Sequence, residues 1–132
     1  MKTAFQELPG QIGGARPVVD VVVEGLDIVP QACLIDTGAA QIRMGRHVAE
    51  LVGLDLAGAI VDDVVVGGLR TRASGVVTEL AIQHGDLNHV WSPTVYFCDP
   101  WPWAFGLFGL AGLDPFLLTL DAYDEWSELR PR

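Results

Sequence analysis

A mainly β domain, a small barrel or sandwich, is what this amino-acid sequence predicts. Three observations carry that expectation. Short β-branched runs recur along the chain, punctuated by fifteen glycines and eight prolines. One segment alone has a clear helical period. Hydrophobic residues make up 50% and charged residues 19% of 132 residues, enough to bury a core and to expect a single domain over residues 1–132.

The elements follow in order. Residues 17–24 (PVVDVVVE) read as the first strand, with valine at 18, 19, 21, 22 and 23. Gly25-Leu26-Asp27 signals a turn, and residues 28–36 (IVPQACLID) return from it as a hairpin. Ile42 to Met44 continue as a short strand. The helix is expected over residues 45–54, where Val48, Leu51 and Val52 fall on one face and Gly53 supplies a stop. Strands resume at residues 59–66. Gly67-Gly68 forms a tip, and residues 69–83 return, with Gly75 read as a bend or bulge. A further strand pair flanks His84-Gly85-Asp86 and ends in residues 94–98 (TVYFC). A Pro/Trp loop at 99–103, an apolar Gly-rich segment at 108–112 and a terminal hairpin at 117–121 and 126–130 complete the chain.

Composition excludes several functions. Lys and Arg number 8 against 17 Asp and Glu, a formal net charge of −9. That argues against a nucleic-acid binder and against an anionic membrane surface. Residues 1–10 hold Glu7 and Pro9 and lack an apolar core, so no secretory signal is expected. The most apolar stretch, 101–120, is broken by Pro102, Asp114 and Pro115, and is too short to span a membrane. Cys33 and Cys98 are too few for a disulfide scaffold or a zinc ribbon, and both lie in apolar runs. They read as buried thiols in a reducing, cytoplasmic compartment. His84-x-Asp86-x-x-His89 reads as a hairpin turn rather than a metal site. Gly106, Gly109 and Gly112 have the wrong spacing for a dinucleotide fingerprint, and no βαβ unit surrounds them. No metal and no cofactor are expected.

The sharpest chemical signal is Leu34-Ile35-Asp36-Thr37-Gly38-Ala39. An apolar strand delivers a carboxylate to its end. Gly38 lets the backbone turn and leaves room for another chain close by. The Thr37 hydroxyl can hold a tight loop, and Ala39 keeps the site open. Taken alone, the tripeptide more often marks an ordinary Asx turn at a strand end, because such tripeptides are common by chance.

The surroundings of that turn resemble the retropepsin-like aspartic proteases, in particular the short bacterial single-domain members. The resemblance runs from Val18 to Pro131 in four parts. A β-hairpin feeds Asp-Thr-Gly-Ala at Asp36 to Ala39. A short helix ends in Leu51-Val52-Gly53-Leu54. A glycine-tipped hairpin, with Gly67-Gly68, stands where the family has its flap. A step Leu110-Ala111-Gly112 leads to Leu113-Asp114-Pro115-Phe116-Leu117 and a last strand pair. The chain departs from the pattern at Ala111 and Pro115, and its loop 99–108 is longer and more aromatic.

The resemblance implies a closed retropepsin-like barrel with one short helix, acting as a homodimer. It implies an aspartic endopeptidase, in which two carboxylates share a proton and activate water against a peptide bond. Two such groups cannot both ionise at close range, so they titrate as a pair. Asp-Thr/Ser-Gly occurs once in this sequence, so the dyad would need Asp36 from each of two chains across a two-fold axis. Thr37 would bond across that axis, and Gly38 would present backbone to substrate. Val66, Gly67, Gly68 and Leu69 would form a flap over an extended peptide. Asp114 is expected to cap a short helix after it. The aromatics Trp91, Trp101, Trp103, Phe105 and Phe108 read first as core and interface packing, with a wall or lid of the groove as the alternative. Residues 121–128 read as a solvated acidic face. A different class stays open: a peptide-binding or assembly module on the same fold with little or no turnover.

Overall fold

The protein is described from a computed structural model covering residues 1–11, 13–85 and 87–132, with the backbone alone for residues 27–29. Strand β1 (Lys2–Ala4) precedes the first hairpin, β2 (Val18–Val23) and β3 (Leu26–Ile35). All five valines of β2 are buried and only Asp20 is exposed, so this strand is covered on both faces. The hairpin turns at Glu24-Gly25, with φ of 52° and 73°. Two positive φ angles give the twist that a two-residue hairpin needs. The turn therefore falls earlier than Gly25-Leu26-Asp27, and Leu26 already pairs with Val23.

Next come β4 (Ile42–Gly45) and helix α1 (Arg46–Val52). Gly53 ends the helix in the left-handed region, φ 73°, as expected of a glycine stop. Val48 and Ala49 are buried, but Leu51 is 64% exposed, so the apolar face is narrower than its spacing suggests. Strands β5 (Ile60–Val66) and β6 (Leu69–Val77) form the glycine-tipped hairpin, and β7 (Leu80–His84), β8 (Leu87–Trp91) and β9 (Thr94–Asp99) follow.

The run 69–83 is not one strand. It breaks at Thr78-Glu79, where β6 leaves β9 and β7 crosses to β2. Glu24 and Glu79 tie the crossing together, the Glu79 N–H donating to the Glu24 carboxylate at 2.8 Å. Gly75 makes no bulge: its register with Ile60 and Tyr96 runs without a shift. A Cβ there would lie 2.6 Å from the Tyr96 ring, so the glycine serves close packing.

Strand β10 (Gly106–Phe108), helix α2 (Leu110–Leu113), β11 (Phe116–Asp121) and β12 (Trp126–Pro131) complete the chain. There are thus two short helices among the described residues, where one was expected. Asp114 stands at the C-terminal end of α2 and caps no helix after it. Carbonyls do that work at the other end: the N–H groups of Leu110 and Ala111 donate to Ala39 and Ala40 oxygens at 2.9 and 3.0 Å.

Two sheets result. β1, β12 and β11 form a small one, in that order, and the terminal hairpin is as expected. The other runs β5-β6-β9-β4-β10-β3-β2-β7-β8. Among the described residues no ladder joins β5 to β8, so this sheet is open rather than the expected closed barrel. At the β5 end, residues 60–63 and Val65 are exposed, and among the described residues β6 is the one strand paired with β5. Val21, Cys33, Ile42, Met44, Leu80, Val95, Phe108 and Leu129 form the fully buried centre. A smaller cluster of Leu8, Val18 and Phe105 lies against Leu34, Trp103 and Leu107. No helix among the described residues is long and apolar enough to cross a membrane.

Candidate active site

Asp36 follows the last residue of β3 and is half-buried. Its N–H donates to the Phe108 carbonyl at 3.1 Å, and its own carbonyl accepts the Ala39 N–H at 3.2 Å. The Gly38 N–H donates to Asp36 Oδ1 at 2.9 Å. The turn is therefore closed partly by its own carboxylate, the Asx geometry that Asp favours.

The turn is held from behind by β10. This strand lies between β3 and β4, parallel to the first (Gly106↔Cys33, Phe108↔Ile35) and antiparallel to the second (Phe108↔Ile42). Glycines permit the fit. A Cβ on Gly109 would stand 2.4 Å from the Gln41 carbonyl oxygen and 2.5 Å from that of Ala39; one on Gly106 would stand 2.9 Å from the Arg43 carbonyl. One on Gly112 would strike the Phe108 ring at 2.6 Å. The Gly-x-x-Gly-x-x-Gly spacing, meaningless as a nucleotide motif, is thus the imprint of close packing, against backbone at Gly106 and Gly109 and against the Phe108 ring at Gly112.

The tip of the β5–β6 hairpin comes to the same place. Gly67 and Gly68 have φ of 56° and 80°, and Val66 pairs with Leu69. A cavity of about 250 Å³ is lined by Leu34, Asp36, Val66, Gly67, Trp101, Trp103, Phe105 and Leu107. Of the residues singled out from sequence, the structure brings Asp36, Val66 and Gly67 together here. Gly68 and Leu69 continue the hairpin beyond the lining. Thr37 and Gly38 are exposed and Ala39 half-buried on the outer side of the turn.

The five aromatics divide into two groups. Trp91 and Phe108 belong to the core, meeting edge to face at 6.2 Å, with Phe116 5.6 Å from Trp91. Trp101, Trp103 and Phe105 line the cavity beside Asp36, and Phe105 is also buried in the smaller core cluster. The prolines flanking Trp101 were the available signal: they favour a stiff surface loop over a core strand.

Other candidates stay apart from this site. Cys33 and Cys98 are buried and unpaired. Burial pushes the Cys33 thiol up to about 12 and Cys98 to about 11, so neither is an active thiolate. Of the His84-Asp86-His89 group, Asp86 lies outside the described residues. His89 packs on Trp91 and Phe116, with ring centroids at 5.1 and 4.8 Å. Among the described residues no cluster of three metal-ligating side chains forms. A larger cleft, about 550 Å³, lies beside α1 and mixes Arg46, Glu50, Asp55 and Arg72.

Comparison with solved structures places this arrangement. The chain is similar to a retropepsin-like aspartic protease from Rickettsia conorii, with a TM-score of 0.65 and 14% identity over 96% of this chain and 97% of that one. It is also similar to the retroviral protease-like domain of Ddi1 from Leishmania major, with a TM-score of 0.57 and 17% identity over 90% of this chain and 97% of that one. No protein-family model and no curated protein sequence matches it. The chain has a retropepsin-like fold, reached with a sequence far removed from both structures.

Proposed function

We propose that this protein is an aspartic endopeptidase, acting as a homodimer in which Asp36 of each chain meets across a two-fold axis. The observation that carries the reading is the convergence on one apolar cavity of the Asp36 carboxylate and the Gly67 flap tip. The fold likeness supports it, since the neighbours at full length are a protease and a protease-like domain. The exposure of Thr37 and Gly38 supports a contact between two such turns. One carboxylate would take a proton from water while the other donates to the scissile carbonyl. The flap residues Val66, Gly67, Gly68 and Leu69 would lie over an extended peptide. We take residues 1–132 as one domain, and two buried, unpaired thiols support a reducing, cytoplasmic setting.

A second reading, a peptide-binding module with little turnover, is favoured by one observation. The Trp103 ring lies close to the flap tip, 3.4 Å from where a Gly67 Cβ would stand, and so occupies part of the groove.

The test is cleavage of a mixed peptide library between about pH 4 and about pH 7, with mass measured by light scattering. Wild type should be dimeric and cleave, and Asp36→Asn should lower the rate by about a thousandfold or more. Cleavage that survives the substitution removes Asp36 from the chemistry. No cleavage by a dimeric wild type selects the binding module.

A further inference from the structure

The sheet continues past the cavity, and its accessible face changes character there. Strand pairing sets one row of side chains across it. Leu34 on β3 is opposite Leu107 on β10, Leu107 is opposite Arg43 on β4, and Arg43 is opposite Tyr96 on β9. Directly paired residues share a face. All four are half-buried, whereas the neighbouring row of Ile35, Phe108, Ile42 and Val95 is buried. Leu34 and Leu107 line the cavity beside Asp36, so Arg43 and Tyr96 extend that face beyond it. Tyr96 ends the row, its ring close against Gly75.

Arg43 is the one charged side chain in this row, and it is held in place. Its Nε and Nη2 donate to Gln41 Oε1 at 3.3 and 3.2 Å. The Gln41 backbone is itself packed tightly on Gly109. A guanidinium has five N–H donors, and Gln41 takes two of them with a neutral oxygen. Among the described residues no carboxylate pairs with Arg43; the ion pairs are Arg46–Glu50, Arg72–Asp63 and Arg130–Glu128. The buried side-chain polar atoms without a partner belong to Thr3 and Trp91, so the free donors of Arg43 are open to the same face.

We propose that Arg43 is a specificity residue that pairs with an acidic side chain of the bound peptide, and that Gln41 is its positioning residue. The inference rests on this face being the peptide site. Arg43 stands two strands across from Leu34, about 10 Å. An extended peptide advances about 3.3 Å per residue, so the acidic residue lies two or three positions from the bond at Asp36. The net charge of −9 repels an acidic peptide at long range. A preference for one therefore has to come from close contact. The guanidinium supplies charge-assisted hydrogen bonds, and because Gln41 already holds it, little side-chain freedom is lost on binding. A glutamine of the same size offers an acceptor without the charge.

The experiment uses acetylated, amidated peptides with Glu, Gln or Lys placed in turn at each of the three positions on either side of the central bond. Two readouts are taken: cleavage by wild type, and calorimetric binding to the Asp36→Asn protein, which separates binding from turnover. At one position Glu should exceed Gln by about tenfold in both, with Lys the poorest. Arg43→Gln in either background should remove that preference. Arg43→Lys should keep part of it, since the charge stays and the planar fork is lost. Gln41→Ala should lower the Glu-to-Gln ratio without abolishing it. Where Arg43→Gln fails to melt cooperatively, the wild-type ratio and Arg43→Lys carry the test.

Equal binding of Glu and Gln peptides at every position, a preference for Lys throughout, or binding of none overturns the proposal. So does an Arg43→Gln protein that keeps the Glu preference, or one that loses Glu and Gln peptides alike, since the arginine would then act on the structure alone. Glu-selective binding without any cleavage by wild type leaves the role of Arg43 standing and removes the peptidase reading. Cleavage without a Glu preference does the reverse.

Discussion

The Asp36 turn and the flap tip both depend on glycine, but for opposite reasons. Behind Asp36, Gly109 has φ −84°, a backbone that any residue can adopt. What it lacks is space, since its absent Cβ would meet two carbonyl oxygens at 2.4 and 2.5 Å. At the flap tip, Gly68 has nothing within 4 Å of its absent Cβ, but its φ is 80°. There the constraint is torsional. The backing of the Asp36 turn is glycine-rich because it is crowded, the hairpin tip because it turns sharply. The first is a rigid platform and the second a surface hairpin, so damage to each should read out differently.

The largest effect is expected at the crowded side. Gly109→Ala forces backbone away from backbone, and overpacking with no flexible neighbour should cost about 3 kcal/mol. Urea unfolding measures the loss, and Asp36-dependent cleavage or peptide binding should fall with it. A near-neutral result would mean that β10 is not held as tightly as these contacts require.

A smaller effect sharpens the same contrast through pH. Cys33 sits against Gly106, its sulfur 3.0 Å from the absent Cβ, and its thiol is raised from 9.0 to about 12 by burial. The unfolded chain releases this proton above about pH 9 while the folded chain keeps it. The folded state then binds more protons than the unfolded, so stability falls with rising pH until about 12 is passed. Between about pH 8 and about pH 10 the loss should be about 1–2 kcal/mol. Cys33→Ala should flatten that slope in urea titrations, and an unchanged slope would assign the loss elsewhere.

The smallest effect belongs to the open side. Gly68→Ala meets no atom, and a non-glycine residue at positive φ should cost about 1 kcal/mol. Thermal melting should barely register it, and the Glu-over-Gln peptide preference should survive. A loss comparable to that of Gly109→Ala would show the flap tip to be packed rather than free.

The features legible in the sequence are those decided by near neighbours. Asp36-Thr37-Gly38 closes its turn within three residues, Gly67-Gly68 makes its tip unaided, and Gly53 stops α1. What escaped was set by distant partners. Strand β10 has three residues and pairs on both sides with strands from the first half of the chain, so no local pattern announces it. Gly75 reads as a bulge until Tyr96 is placed beside it. Asp114 reads as the cap of a helix after it until Phe116 is seen to begin a strand paired with the chain's last one. The wall at Trp101 and Trp103 was ambiguous for the same reason: a tryptophan's spacing does not say whether it faces core or groove.

The insertion of β10 also sets the order in which the molecule can be made. Asp36 is synthesised well before the strand that fixes its turn, residues 106–108. Pairings so distant along the chain form slowly, because a long loop must close before they give any return. The carboxylate is therefore present long before it is aimed. Until residues 106–108 have been made, the turn at Asp36 lacks the strand that holds it from behind.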